Sequence, residues 1–481
     1  MKRQRPVLIQ GGMGVAVSGW RLAREVSLAG HLGVVSGTAM DAVVARVLQD
    51  GDPGGHYRRA LAHFPSPALA QRVLDKYFLE GGRGADQPYR PVPKLTLSQP
   101  REGQELSLAG NFAEVWLAKE GHDGVVGVNC LEKVQMATPA ALLGAMLAGV
   151  DYVLMGAGIP REIPGLLRSL AAGQPGEINI DVTGASGSHS VTVDPVGLLG
   201  EDLPTLRKPD FLAIISVDQL ATYLNRDPEI RPDGFVVERP PSGGHSAPPR
   251  GRLQLTEDGE PRYGPRDEAD LVKMAAIGLP FWLAGGYNTP EQIAAAINAG
   301  AVGAQVGTIF ALCRESGLTG EVRTQLLDAL RTGTLAIHND PLASPTGFPF
   351  KVAAIEGFAS EPEVYSERPR LCDLSYLRQP YQRPDGRVGY RCAAEPVDMF
   401  VKKGGKLEDT LGRKCLCNGL MANIGMGQHR KDGYDEVALV TLGQDLAGAE
   451  ALIQRYPQGW SATAAIDYLL EAVSTQLVPV A

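Results

Sequence analysis

One pattern occurs three times in this chain. A helix-period segment stops at glycine, a short and continuously apolar strand follows, and the strand runs into a second glycine turn. Residues 20–29 lead to the strand 33–35 and to Ser36-Gly37-Thr38. Residues 140–148 lead through Gly149 to the strand 151–155 and to Gly156-Ala157-Gly158. Residues 290–298 lead through Ala299-Gly300 to the strand 302–306 and to Gly307-Thr308. Glycine stops a helix because it enters the left-handed region without strain. A strand apolar at every position is buried on both faces, which is the condition of a parallel sheet covered by helices.

Six more segments read as strands of this kind: 7–10, 125–129, 178–182, 211–216, 235–238 and 281–284. Nine candidates over about 310 residues, one of them surplus, predict an α/β chain folded as a (βα)8 TIM barrel. In such barrels the chemistry sits on the loops after the strands. Residues 50–110 break the rhythm with helices over 57–61 and 67–79 and the linker Glu80-Gly81-Gly82-Arg83-Gly84, and read as a helical insertion in an early loop. The barrel is expected over residues 1–345. Residues 346–481 form a C-terminal α+β or irregular extension, polar and turn-rich, ending in an amphipathic helix over 462–473.

Composition narrows the functional classes. The chain has 481 residues, 44% of them hydrophobic, with 58 Gly and a net charge of -8. A large core is available, and the acidic balance gives no nucleic-acid or anionic-membrane surface. The most apolar window, 140–155, is interrupted by Asp151 and is rich in Ala and Gly, so it reads as helix plus strand rather than a membrane span. The apolar part of MKRQRPVLIQ is too short for a signal-peptide core. Six irregularly spaced cysteines suggest a reducing, cytoplasmic setting. Four of them, Cys372, Cys392, Cys415 and Cys417, lie in the extension. They read as buried thiols or as metal ligands, and the single C-x-C pair favours thiols. The extension also carries Lys402, Lys403, Lys406, Arg413, Lys414, Arg430 and Lys431, either a solvated surface or a guide for an anionic partner.

Two glycine turns follow successive late strands: Ala284-Gly285-Gly286 and Val306-Gly307-Thr308, the second leading toward a helix over 309–313. Glycine turns expose backbone N–H groups that hold phosphate, and late strands are where barrels often bind it. Gln10-Gly11-Gly12-Met13-Gly14, after the first strand, lets a flat ring approach the backbone. The loop Pro240-Pro241-Ser242-Gly243-Gly244-His245 places one imidazole on the same face. Histidine is suited to proton transfer near neutral pH, although bonding within its own loop is the alternative.

QGGMG, GVN at 127–129, SGGH at 242–245, LAGG at 283–286 and QVGT at 305–308 together resemble the nitronate monooxygenase (2-nitropropane dioxygenase) family, in order and spacing, over about residues 5–345. The resemblance implies a (βα)8 barrel that binds FMN and oxidises alkyl nitronates with O2. It implies Gly285, Gly286, Gly307 and Thr308 at the FMN phosphate, and Gln10, Gly11, Gly12 and Met13 along the isoalloxazine. It further implies Asn129, Gly243 and Gln305 as flavin contacts, and His245 as general base or substrate-orienting residue. Relatives on the same scaffold reduce quinones or enoyl thioesters with NAD(P)H, which is the alternative activity; a flavin-binding accessory protein is a second. The chain departs from the family pattern at Pro241-Ser242 and at Glu238, where a carboxylate stands near the flavin. Lys133 and Arg250 are each either anion-binding or engaged on the surface. Substrate, oligomeric state and the purpose of the extension stay open.

Overall fold

A computed structural model describes residues 5–201 and 203–476. Eight parallel strands close into a barrel in chain order. They are β1 (Leu8–Gln10), β2 (Leu32–Ser36), β3 (Val126–Leu131), β4 (Tyr152–Gly156), β5 (Asp210–Ile215), β6 (Gly234–Glu238), β7 (Phe281–Ala284) and β8 (Gly303–Val306). β8 returns to β1 with Leu8 beside Ala304 and Gln10 beside Val306. The strands are buried nearly end to end, as their unbroken apolar runs require.

Side chains alternate between the two surfaces of the barrel wall. Ile9, Val34, Leu154, Ile214, Val236 and Trp282 form one cluster, the barrel interior. Val35, Val153, Phe211 and Val237 join the larger cluster under the helices. The surplus candidate is 178–182. Gly176–Asn179 pairs antiparallel with Ser190–Val193 in a ribbon outside the barrel. Its burial alternates, and the sequence carried that signal: Ile178, Ile180 and Val182 alternate with Asn179 and Asp181.

Between β2 and β3 lie the helices Met40–Gln49, His56–Ala62, Pro67–Tyr77 and Arg101–Lys119. The last is almost wholly buried and runs through position 110, where the insertion was expected to end. Helix Pro290–Asn298 starts at a capping box: Gln292 Oε1 accepts from Thr289 N at 2.9 Å while the Thr289 hydroxyl accepts from Gln292 N. Thr289→Ala is expected to cost about 1 kcal/mol of stability, read as a lower urea midpoint at unchanged slope.

The extension is built onto the barrel. A ribbon, Ala336–Asp340 with Phe350–Ala354, spans the expected boundary at 345. Helices Ala447–Arg455 and Ala462–Gln476 and the turn between them place Leu452, Trp460 and Leu469 in one cluster with Leu8, Ala304 and Ile309. Trp460 Nε1 donates to Ile309 O at 3.0 Å. No helix among the described residues is long and apolar enough to cross a membrane.

Candidate active site

The loops after β1, β6, β7 and β8 meet at the C-terminal end of the barrel. They enclose two adjoining cavities of about 170 Å³ each, which share the walls Gly12, Glu238, Gly243, Gly244, Gln305 and Thr441. One end is glycine-rich, with Gly285, Gly286, Gly307 and Thr308; the other holds Asn129, His245, Phe350 and Tyr376.

At the glycine-rich end Gly285 and Gly286 both take φ +83°. A Cβ on Gly285 would come within 2.7 Å of Arg239 O, so the turn excludes other residues on conformation and on space. Gly307 precedes a helix of only one turn, Thr308–Ala311. This is shorter than the 309–313 expectation and begins one residue earlier. What it offers an anion is free N–H groups more than an axial dipole. The Thr308 hydroxyl accepts from Gly443 N at 2.8 Å, because the extension segment 440–445 crosses this end. Asp445, which also lines it, is held by Gln292 Nε2 at 3.2 Å and Ala447 N at 3.1 Å. The Arg239 guanidinium stands beside Gly286 from the other side.

At the other end Gly12 lies so close to Asn129 that any Cβ would collide with that side chain. Asn129 Oδ1 and Gln305 Oε1 are buried with no hydrogen-bond partner among the described residues. Orphaned amide oxygens on a cavity wall are costly unless a donor arrives. A ring N–H and ribityl hydroxyls are donors of the right kind, so the residues present fit a flavin. Gln10 stands apart. It is fully buried in the barrel, with Oε1 accepting from Val34 N at 3.1 Å, and lines neither cavity.

His245 is on the wall. Nε2 is 2.7 Å from Ser344 Oγ, and the ring meets Phe350 edge-on at 4.9 Å. Burial, aided by the Lys133 charge, pushes its pKa down to about 4, so the imidazole is neutral at ordinary pH. Glu238, at the end of β6, is pushed up to about 7 by burial, against the Lys351 charge and the Ser242 hydroxyl. Lys133 is paired with Glu132 at 3.0 Å and lies over the Phe348 ring. Arg250 lies exposed and bonds Gln219.

A cleft of about 480 Å³ opens beside the His245 end, below called the ring end, and shares Val134, Tyr376 and Leu377 with it. Arg378, Arg391 and Arg413 line it, and each bonds backbone carbonyls with no carboxylate ion pair among the described residues. Asp181 and Asp409 share the wall. The basic residues of the extension do not form one patch. Lys403 pairs with Glu395, Lys414 is buried against Ala359 O, and Arg430 pairs with Glu436. The four extension cysteines border one small cavity as free thiols. No group of three His, Cys, Asp or Glu among the described residues is placed to hold a metal ion.

The motif sequences named the loops but missed Phe350, Tyr376, Thr441 and Asp445. All four come from the extension, and none carries a local signal.

Residues 210–338, from β5 past β8, match the family model described as nitronate monooxygenase. No curated protein matches the chain. Among solved structures, the chain is similar to FabK from Thermotoga maritima, at 15% identity over 98% of this chain and 94% of that one, with a TM-score of 0.47. It is similar to nitroalkane oxidase from Streptomyces ansochromogenes, at 16% identity over 98% of each chain, with a TM-score of 0.43. It is also similar to the enoyl reductase domain of MlnA from Bacillus amyloliquefaciens, at 11% identity over 98% and 94%, with a TM-score of 0.48. At that level of similarity none of the three specifies a substrate for this chain.

Proposed function

We propose that this chain, whose residues 210–338 match the nitronate monooxygenase family model, is a flavin-dependent oxidoreductase that binds FMN and uses NAD(P)H to reduce an enoyl thioester. The observation that carries the substrate reading is the cleft of about 480 Å³ beside the ring end, with Arg378, Arg391 and Arg413 on its wall. A nitronate is a few atoms long and needs no such room. A nicotinamide dinucleotide and an acyl thioester on a phosphorylated carrier arm are both long, and both carry phosphate that guanidinium groups recognise.

FMN, when bound, relays an electron pair between donor and acceptor. The N–H groups of Gly285, Gly286 and Gly307 would hold its phosphate, and Gly11 to Met13, Asn129, Gly243 and Gln305 would border the ring and ribityl chain. Phe350, Tyr376 and Leu377 wall the ring end with apolar surface and exclude water there. His245 donates or accepts one hydrogen bond while Ser344 fixes the ring. With a pKa near 4 it is a weak base, so its role is to orient the substrate carbonyl and pass a proton, not to strip one from unactivated carbon.

A second reading is nitronate oxidation with O2. The SGGH loop, inside the matched segment, supports it, and a neutral imidazole suits a substrate that is already an anion. The test is anaerobic bleaching of the flavin band. Rapid bleaching by NADH or NADPH, with reoxidation by an enoyl thioester, is the expected result. Bleaching by propionate 3-nitronate alone, with none by nicotinamide, overturns the reductase reading in favour of the oxidase.

A further inference from the structure

Lys351 is fully buried, on the strand Phe350–Ala354 of the extension. Its ammonium donates to Pro240 O at 2.7 Å and to the Ser246 hydroxyl, and its backbone N donates to Gly244 O at 3.0 Å. One side chain thus ties both ends of the loop that carries His245. No carboxylate lies within ion-pair distance of it among the described residues, so a buried cation is left facing neutral partners, an arrangement that costs free energy unless a nearby anion offsets it.

The anion available is Glu238, two residues before the Pro240 carbonyl that Lys351 holds and on the wall of both cavities. The two groups attract: each draws the other toward its charged form, while burial pushes Glu238 up to about 7 and Lys351 down to about 8. Glu260 adds a weaker pull on Lys351, but it is engaged by Asn339 N and Gln444. The carboxylate that sequence reasoning placed awkwardly beside a flavin therefore has a counter-charge behind it, and the extension supplies it.

We propose that Glu238 and Lys351 together set the charge of the flavin site, the barrel giving the carboxylate and the extension the ammonium that balances it. Lys351 lines neither cavity, and its charge reaches the site from behind the cavity wall. The inference rests on the FMN reading above.

The test is the flavin midpoint potential at pH 7, measured with reference dyes on the full-length holoprotein. Glu238→Gln leaves Lys351 as an unbalanced cation, which favours the electron-rich flavin, so the potential moves to more positive values. Adding Lys351→Met removes that cation, and the double variant returns toward wild type. An unchanged potential in Glu238→Gln overturns the proposal, and so does a positive shift that persists in the double variant. If the double variant does not fold, Glu238→Gln with Lys351→Arg replaces it: the retained charge must retain the positive shift, and its loss overturns the proposal. A wild-type chain that binds no flavin is a different failure, that of the functional reading itself.

Discussion

His245→Asn is expected to keep its FMN and to lose about 10²-fold in turnover with the preferred substrate pair. The loss is catalytic because the groups proposed to hold the flavin are other residues. Asn129, Gln305 and the glycine turns are untouched, and the His245 loop stays tied down through Gly244 and Ser246. The imidazole is held near a pKa of about 4, so it does not titrate above pH 6. The ratio of wild-type to variant rate is therefore expected to be constant from pH 6 to pH 9, and a ratio that follows a titration in that range contradicts a neutral His245. Stability gives an independent reading. The folded pKa lies below that of the unfolded chain, so between about 6.5 and about 4 the unfolded chain takes up a proton that the folded one refuses. Wild type loses stability relative to His245→Asn as the pH falls through that window, and the difference is level above it.

Gly307→Asp is expected to give protein purified nearly free of flavin, while Gly307→Ala keeps it. The glycine has φ -112°, which any residue adopts, and a Cβ there meets only Met13 Sδ at 3.8 Å. Neither variant strains the backbone. They differ in the carboxylate, which would project where the phosphate is proposed to bind. Two like charges about 4 Å apart at an effective dielectric of about 20 repel by about 4 kcal/mol, or about 10³-fold in affinity. The ratio of flavin to protein absorbance reads this directly. Full occupancy in Gly307→Asp moves the phosphate to another place, and Asp445, already on that wall, would then be where to look for the reason.

The sequence by itself determined the barrel and most of its mouth. Eight strands were legible because each is a short apolar run and five of them run into glycine, at Gly11, Gly37, Gly156, Gly285 and Gly307, patterns set by burial and by φ, both local constraints. The ninth candidate was separable in principle, since Ile178, Ile180 and Val182 alternate with polar residues. The glycine turns after the late strands were legible for the same reason: Gly285 and Gly286 must be glycine for their own backbone. The tertiary structure alone decided what closes the site. Gly443 reaches Thr308 across 135 residues and Thr441 reaches Gly244 across 197, and contacts at such separations leave no periodicity or motif in either segment. It likewise placed Gln10 inside the barrel, away from the cavity, because a buried amide finds its partners on the neighbouring strand. And it put Lys351, an unremarked residue of a polar extension, behind Glu238. Charge balance in a buried site depends on distance through space, which chain order does not record.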